Sequence, residues 1–128
     1  MNKSLTIIII LGILYLAILP VQAKDISTLK VNISQDIAKD CTVGYHVQGC
    51  YFEGTKQIYI ANDLDAYQFK MVFWHEIFHF LGNGKDMSLF NNNEELAADI
   101  FAYAMMIEPS FSAVNREMAD YFKKIIME

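Results

Sequence analysis

Cysteine, proline and glycine are all scarce in this chain of 128 residues, which holds two cysteines, two prolines and six glycines. Two thiols cannot close a four-ligand structural metal site. No linker rich in Pro, Gly and Ser, no internal repeat and no low-complexity tract interrupts the chain, and its length leaves room for one domain. Positive charge is short as well: ten Lys and Arg stand against fifteen Asp and Glu, a formal net charge of -5. Without a basic stripe to override that total, the chain lacks the field that attracts nucleic acid or anionic lipid. Nucleic acid is therefore not expected as a partner.

What is present begins with an N-terminal segment unlike the rest. Met1-Asn2-Lys3 gives a short positive start, Leu5 to Leu19 is apolar apart from Thr6, and Val21-Gln22-Ala23 has the small-residue pattern of a cleavage site. Residues 1–23 are predicted to be a signal peptide, and residues 24–128 one exported domain, periplasmic or secreted. The rival reading is an uncleaved N-terminal anchor, although the apolar run is shorter than the roughly 18 residues of a membrane-spanning helix. No cysteine follows the run at which a lipid could be attached. After cleavage no stable membrane association is expected, and with Lys3 gone nine basic residues face fifteen acidic ones, a net charge of -6.

Small domains often need a covalent or metal staple. In an exported chain the even pair Cys41 and Cys50 predicts a disulfide. Its short loop limits the entropic gain to about 2 to 3 kcal/mol, and its chief effect is to fix a turn between strands. Free thiols or thiolate ligands are the competing reading.

Up to residue 62 the chain reads as extended. Thr42 to Val47 and Tyr51-Phe52 are strand-like, Glu53 to Lys56 is a turn, and Gln57 to Ala61 alternates polar and apolar residues. Together they predict a small antiparallel sheet. Leu29 to Lys39 is mixed, with Val31 and Ile33 alternating like a strand and Ile37-Ala38-Lys39 compatible with a helix. A helix is predicted next, capped by Asp63 or Asp65 and stopped by Gly82 just past its end. After a loop with Asn91-Asn92-Asn93, Glu94 to about Ile107 predicts a second helix, apolar on nearly every side and hence central, ended by Pro109. Phe111, Val114, Met118, Tyr121, Phe122 and Ile125 predict a third helix, packed as a lid over the core.

The first helix carries His75-Glu76-Ile77-Phe78-His79. Histidines four apart share one helical face, so both imidazoles can bind one ion, for which zinc is the natural guest. Glu76, beside the first histidine, is placed to take a proton from water at the metal without being a ligand. A catalytic zinc needs a third protein donor. The second helix offers Glu95 and, four residues on, Asp99. Glu95 is the predicted third ligand, and Asp99 is predicted to accept the free ring N–H of His75. Glu94 is accounted for by the positive end of the helix alone and has no companion on its face.

An HExxH helix followed by a helical ExxxD resembles the gluzincin metallopeptidases, and the short distance from His79 to Glu95 looks more like the single-domain minigluzincins. A second resemblance is to the ImmA/IrrE-type peptidases, whose later helix reads roughly ExxA-(D/N)-x-FA before a proline. Glu95, Ala98, Asp99, Phe101, Ala102 and Pro109 follow it. This chain departs in its predicted export signal and in lacking a helix-turn-helix. The resemblance implies an α+β, zincin-like fold, one catalytic zinc, and a peptide or protein substrate cleaved with Glu76 as general base.

An extended substrate is expected to pair with a free strand edge, for which Gln57 to Ala61 is the candidate. Tyr103, Tyr121 and His46 are candidates for the donor to the developing oxyanion. The competing class is an exported, non-catalytic domain in which zinc serves folding.

Overall fold

The computed structural model describes residues 26–107 and 116–127. The predicted signal peptide, Pro109, Phe111 and Val114 lie outside the described residues. The mixed pattern of residues 29–39 resolves into strand β1, Lys30–Ser34, followed by the single-turn helix α1, Ile37–Asp40. Asp36 caps α1, its side chain accepting the Lys39 N–H. Strands β2, Gly49–Phe52, and β3, Gln57–Ala61, form the predicted hairpin.

β2 and β3 pair antiparallel, with Gly49 opposite Ile60 and Phe52 opposite Gln57. β1 adds to the far side of β3 in parallel, Lys30 opposite Gln57 through to Ser34 opposite Ala61. The expected antiparallel sheet is therefore corrected to a mixed sheet of order β1-β3-β2. Residues 35–56 form the long connection that a parallel pair requires, and the Asn32 amide reinforces it by donating to the Ile58 carbonyl. Thr42 to Val47, predicted as a strand, is irregular instead. Cys41 caps α1, Thr42 has a φ of 54°, and the Val43 N–H returns to the Ala38 carbonyl, so these groups are used in closing α1. The Cys41–Cys50 disulfide then ties this loop to β2.

Asp65 begins helix α2, Ala66–Gly82, through a capping box: its side chain accepts the Gln68 N–H and the Gln68 side chain accepts the Asp65 N–H. Gly82 is the last residue inside the helix rather than the stop beyond it, with Asn83 as the cap. A Cβ at Gly82 would stand 3.1 Å from Met87 Cε and 3.3 Å from the Phe78 ring, so the glycine lets these side chains pack closely against the helix. Asn93 caps helix α3, Glu94–Met106, by accepting the Leu96 N–H. Arg116–Met127 forms α4.

The core lies between the sheet and the helices. Ile58 and Ile60 of β3 join Phe78 and Phe80 of α2, Phe101 of α3 and Phe122 of α4. The Phe122 ring centre is 5.3 Å from that of Phe101 and 6.0 Å from that of Phe78, so α4 closes the core as the predicted lid. The second helix is not apolar on all sides in its setting. Ala97, Ala98, Phe101, Ala102 and Ala104 are buried, whereas Leu96 and Tyr103 are exposed. A domain this small has too few elements to cover a helix all round.

Candidate metal centre

α2 and α3 run antiparallel, so positions rising along α3 meet positions falling along α2. Each histidine thereby gains a carboxylate on its far nitrogen. His75 Nδ1 is 2.7 Å from Asp99 Oδ1, and His79 Nδ1 is 3.0 Å from Glu94 Oε1. In the tautomer that carries its proton on Nδ1, each ring would donate to its carboxylate and both Nε2 atoms would present lone pairs. They stand 3.1 Å apart and share Glu95, whose Oε2 is 3.1 Å from His75 Nε2 and whose Oε1 is 3.1 Å from His79 Nε2.

A knot of acceptors repels itself unless a cation lies among them. Donors bound tetrahedrally to zinc at about 2.0 to 2.2 Å stand roughly 3.3 Å from one another. The three donor side chains match that spacing closely, and His75, His79 and Glu95 are the group of metal-binding type among the described residues. The donor set of two imidazoles and one carboxylate suits zinc.

Glu76 points beside this cluster and is only 5% exposed. Burial pushes its carboxyl pKa up to about 6, with His75 and His79 pulling it down and Glu95 adding to the rise. It is mostly ionised at neutral pH and more basic than an ordinary carboxylate, as a general base needs to be. Directly above it runs β2. A Cβ on Gly49 would stand 2.5 Å from Val72 Cγ1, 3.0 Å from the Tyr59 carbonyl and 3.4 Å from Glu76 Oε1, so glycine alone lets the strand lie this close to the helix.

The cleft has a volume of about 410 Å³ and is lined by Gly49, Cys50, Tyr51 and Glu53, by His75, Glu76, His79 and Asn83, and by Glu94 and Glu95. His46, Tyr103 and Tyr121 do not line it. His46 Nε2 lies 3.7 Å from Asp63 in a separate hollow, Tyr103 is exposed, and the Tyr121 hydroxyl is donated to Met87 Sδ at 2.8 Å. The tyrosine that does line the cleft is Tyr51, whose hydroxyl donates to Glu53 Oε2 at 2.5 Å. Burial and that carboxylate hold the phenol well above its ordinary pKa, so it remains a donor.

Asp99 meets His75 as expected, but its side chain is 70% exposed, so burial is not what demands the contact. Gln57 to Ala61 is not a free edge, since β3 is paired on both sides. The edge beside the metal cluster is β2. Ala61 N–H donates to the Gln48 carbonyl, and the alternation of an antiparallel ladder then directs Cys50 and Phe52 to β3 and leaves the backbone groups of Gly49 and Tyr51 pointing off the edge.

A small mixed sheet over an antiparallel helix pair, with HExxH on one helix and its acidic partners on the next, defines the class of small zincin-like domains. Within that class the chain belongs to the Peptidase M78 family, the IrrE N-terminal-like domain, whose model matches residues 26–124. No curated protein and no solved structure matches it. The family is one of zinc metallopeptidase-like domains, and it implies a metal and a peptide or protein substrate.

Proposed function

We propose that this chain is an exported zinc-dependent peptidase in which His75, His79 and Glu95 hold the ion and Glu76 is the general base. The observation that carries the reading is the convergence of His75 Nε2, His79 Nε2 and the Glu95 carboxylate at 3.1 Å from one another. Zinc in that place supplies Lewis acidity, polarising a carbonyl and lowering the pKa of water to about 7. The chain's own residues do the rest. Glu76 takes the proton of the attacking water and returns it to the departing amine, so one carboxylate acts as base and then as acid. An extended peptide lies along β2, bonded to the outward N–H and C=O groups of Gly49 and Tyr51, which brings its backbone over Glu76. Asn83 is a cleft residue whose side-chain amide can donate to the developing oxyanion, the Tyr51 hydroxyl being already donated to Glu53.

Export rests on the leader pattern of residues 1–23 and agrees with the Cys41–Cys50 disulfide, a bond that persists in oxidising compartments. The test is zinc quantification with proteomic cleavage profiling, wild type against Glu76→Gln. Zinc bound by both proteins, with cleavage only by wild type, is the expected outcome. Equal cleavage by both, or none by zinc-loaded wild type on any peptide of the profile, refutes catalysis by this site and leaves zinc a folding role. The mass of the exported protein checks cleavage after Ala23.

A further inference from the structure

The second zinc-facing histidine has a partner that the acidic start of α3 would not by itself suggest. We infer that Glu94 is a positioning residue for His79: its carboxylate holds the ring on Nδ1 and thereby aims Nε2 into the metal cluster. The inference rests on the zinc site read above. Three observations carry it. The Glu94 Oε1 to His79 Nδ1 distance of 3.0 Å is close to the 2.7 Å between Asp99 and His75, so the two histidines are held alike. The Glu94 side chain is 48% exposed against 70% for Asp99, so the contact to His79 is the better shielded of the two. The antiparallel arrangement also leaves little choice of partner, because His79, one turn nearer the connecting loop, meets the first turn of α3.

A helix-terminal acid and a histidine-orienting acid behave differently when altered. Orientation requires an acceptor on the ring N–H, which Gln supplies and Ala does not. Interaction with the helix end requires the charge, which both substitutions remove.

The experiment measures zinc affinity of the full chain by competition with a chelator for wild type, E94Q and E94A. Ring nitrogen shifts of His79 are recorded in the metal-free protein with Glu95→Ala added to every variant, which removes the rival carboxylate 3.1 Å from Nε2, at a pH where the imidazole is neutral. E94A is expected to bind zinc about tenfold to a hundredfold more weakly, with E94Q recovering most of the loss. The His79 proton is expected on Nδ1 in wild type and E94Q, and to leave it in E94A. Zinc binding by E94A equal to wild type, or E94Q as weak as E94A, overturns the inference. Should E94A not fold, the wild-type and E94Q tautomers decide, and a proton on Nε2 in wild type overturns the assignment. Failure of wild type to bind zinc refutes the metal reading instead, and the tautomer remains a separate test of the Glu94 contact.

Discussion

The Cys41–Cys50 disulfide offers a perturbation whose size follows from the structure. Its cysteines are nine residues apart, and releasing a loop of that length returns entropy to the unfolded chain worth about 2.5 kcal/mol at 25 °C. Cys41 is buried against Ile37 and Ala61, so a serine there would add the cost of a buried hydroxyl. The clean variant is Cys41→Ala with Cys50→Ala. For a domain of roughly 100 residues a loss of that size lowers the melting temperature by about 10 to 20 °C. Urea melts of the metal-free protein, with dithiol-reduced wild type alongside, give the free energy directly. Melts of the double variant that superimpose on wild type would refute the loop-closure reasoning.

The same variant separates metal from substrate. Every proposed zinc donor comes from α2 or α3, whereas Cys50 lies within the strand that edges the cleft. Zinc affinity of the folded double variant is expected within about twofold of wild type, because the disulfide anchors neither of the helices that carry the donors. Peptide cleavage should fall, chiefly through KM, because β2 loses its tether. A variant that cleaves normally yet binds zinc tenfold more weakly would contradict this division.

Three further outcomes are expected. Gly49→Ala places a methyl against Val72 and should cost about 1 to 3 kcal/mol; adding Val72→Ala removes the nearer obstacle, and a double variant no more stable than the sum of the single losses would count against the contact. In metal-free protein Glu76→Gln should raise stability at pH 7 by about 2 kcal/mol, because burial lifts the carboxyl to about 6 from 4.5. That penalty applies only where the group is ionised in the fold, so the gain should vanish as pH falls from about 6 to 4.5; a gain independent of pH would point to another cause. Zinc at a thousand times its dissociation constant should stabilise the fold by about 4 kcal/mol, read as a melting shift that chelation reverses and that His79→Ala largely abolishes.

How far the sequence reveals this fold depends on whether a feature is local. The α2 helix announces itself through Asp65, Gln68 and the buried run around His75, all within one segment. Its glycine misleads, because Gly82 answers to Phe78 and Met87 rather than to a helix stop. The parallel pairing of β1 with β3 joins residues twenty-seven positions apart, and no pattern within either strand encodes it. The three proposed oxyanion donors fail for a similar reason: a tyrosine or histidine declares its chemistry but not its direction. Tyr51 was legible as a strand residue, and only the sheet order shows that its strand borders the cleft. The role of Glu94 is not visible within its own helix, whose positive end already accounts for an acid there. Its signal lies in the pairing of two helices, since a short connection implies antiparallel packing and hence His79 against the start of α3.

That pairing also explains why so few residues suffice for the cluster. Glu94, Glu95 and Asp99 occupy little more than one turn of α3, yet they reach two histidines a full turn apart on α2 because the helices run in opposite directions. Glu95 sits between the two rings, and its neighbours on either side take the far nitrogens. A shift of α3 by one residue along α2 would send Glu94 toward the place of Glu95 and break both outer contacts together. The register is held by Phe78, Phe101 and Phe122, whose rings pack at 5.3 to 6.0 Å. Close-packed rings do not slide without opening a cavity. The aromatic core thus sets the alignment on which the metal donors depend, and a substitution such as Phe101→Ala would be expected to weaken zinc binding without touching any ligand.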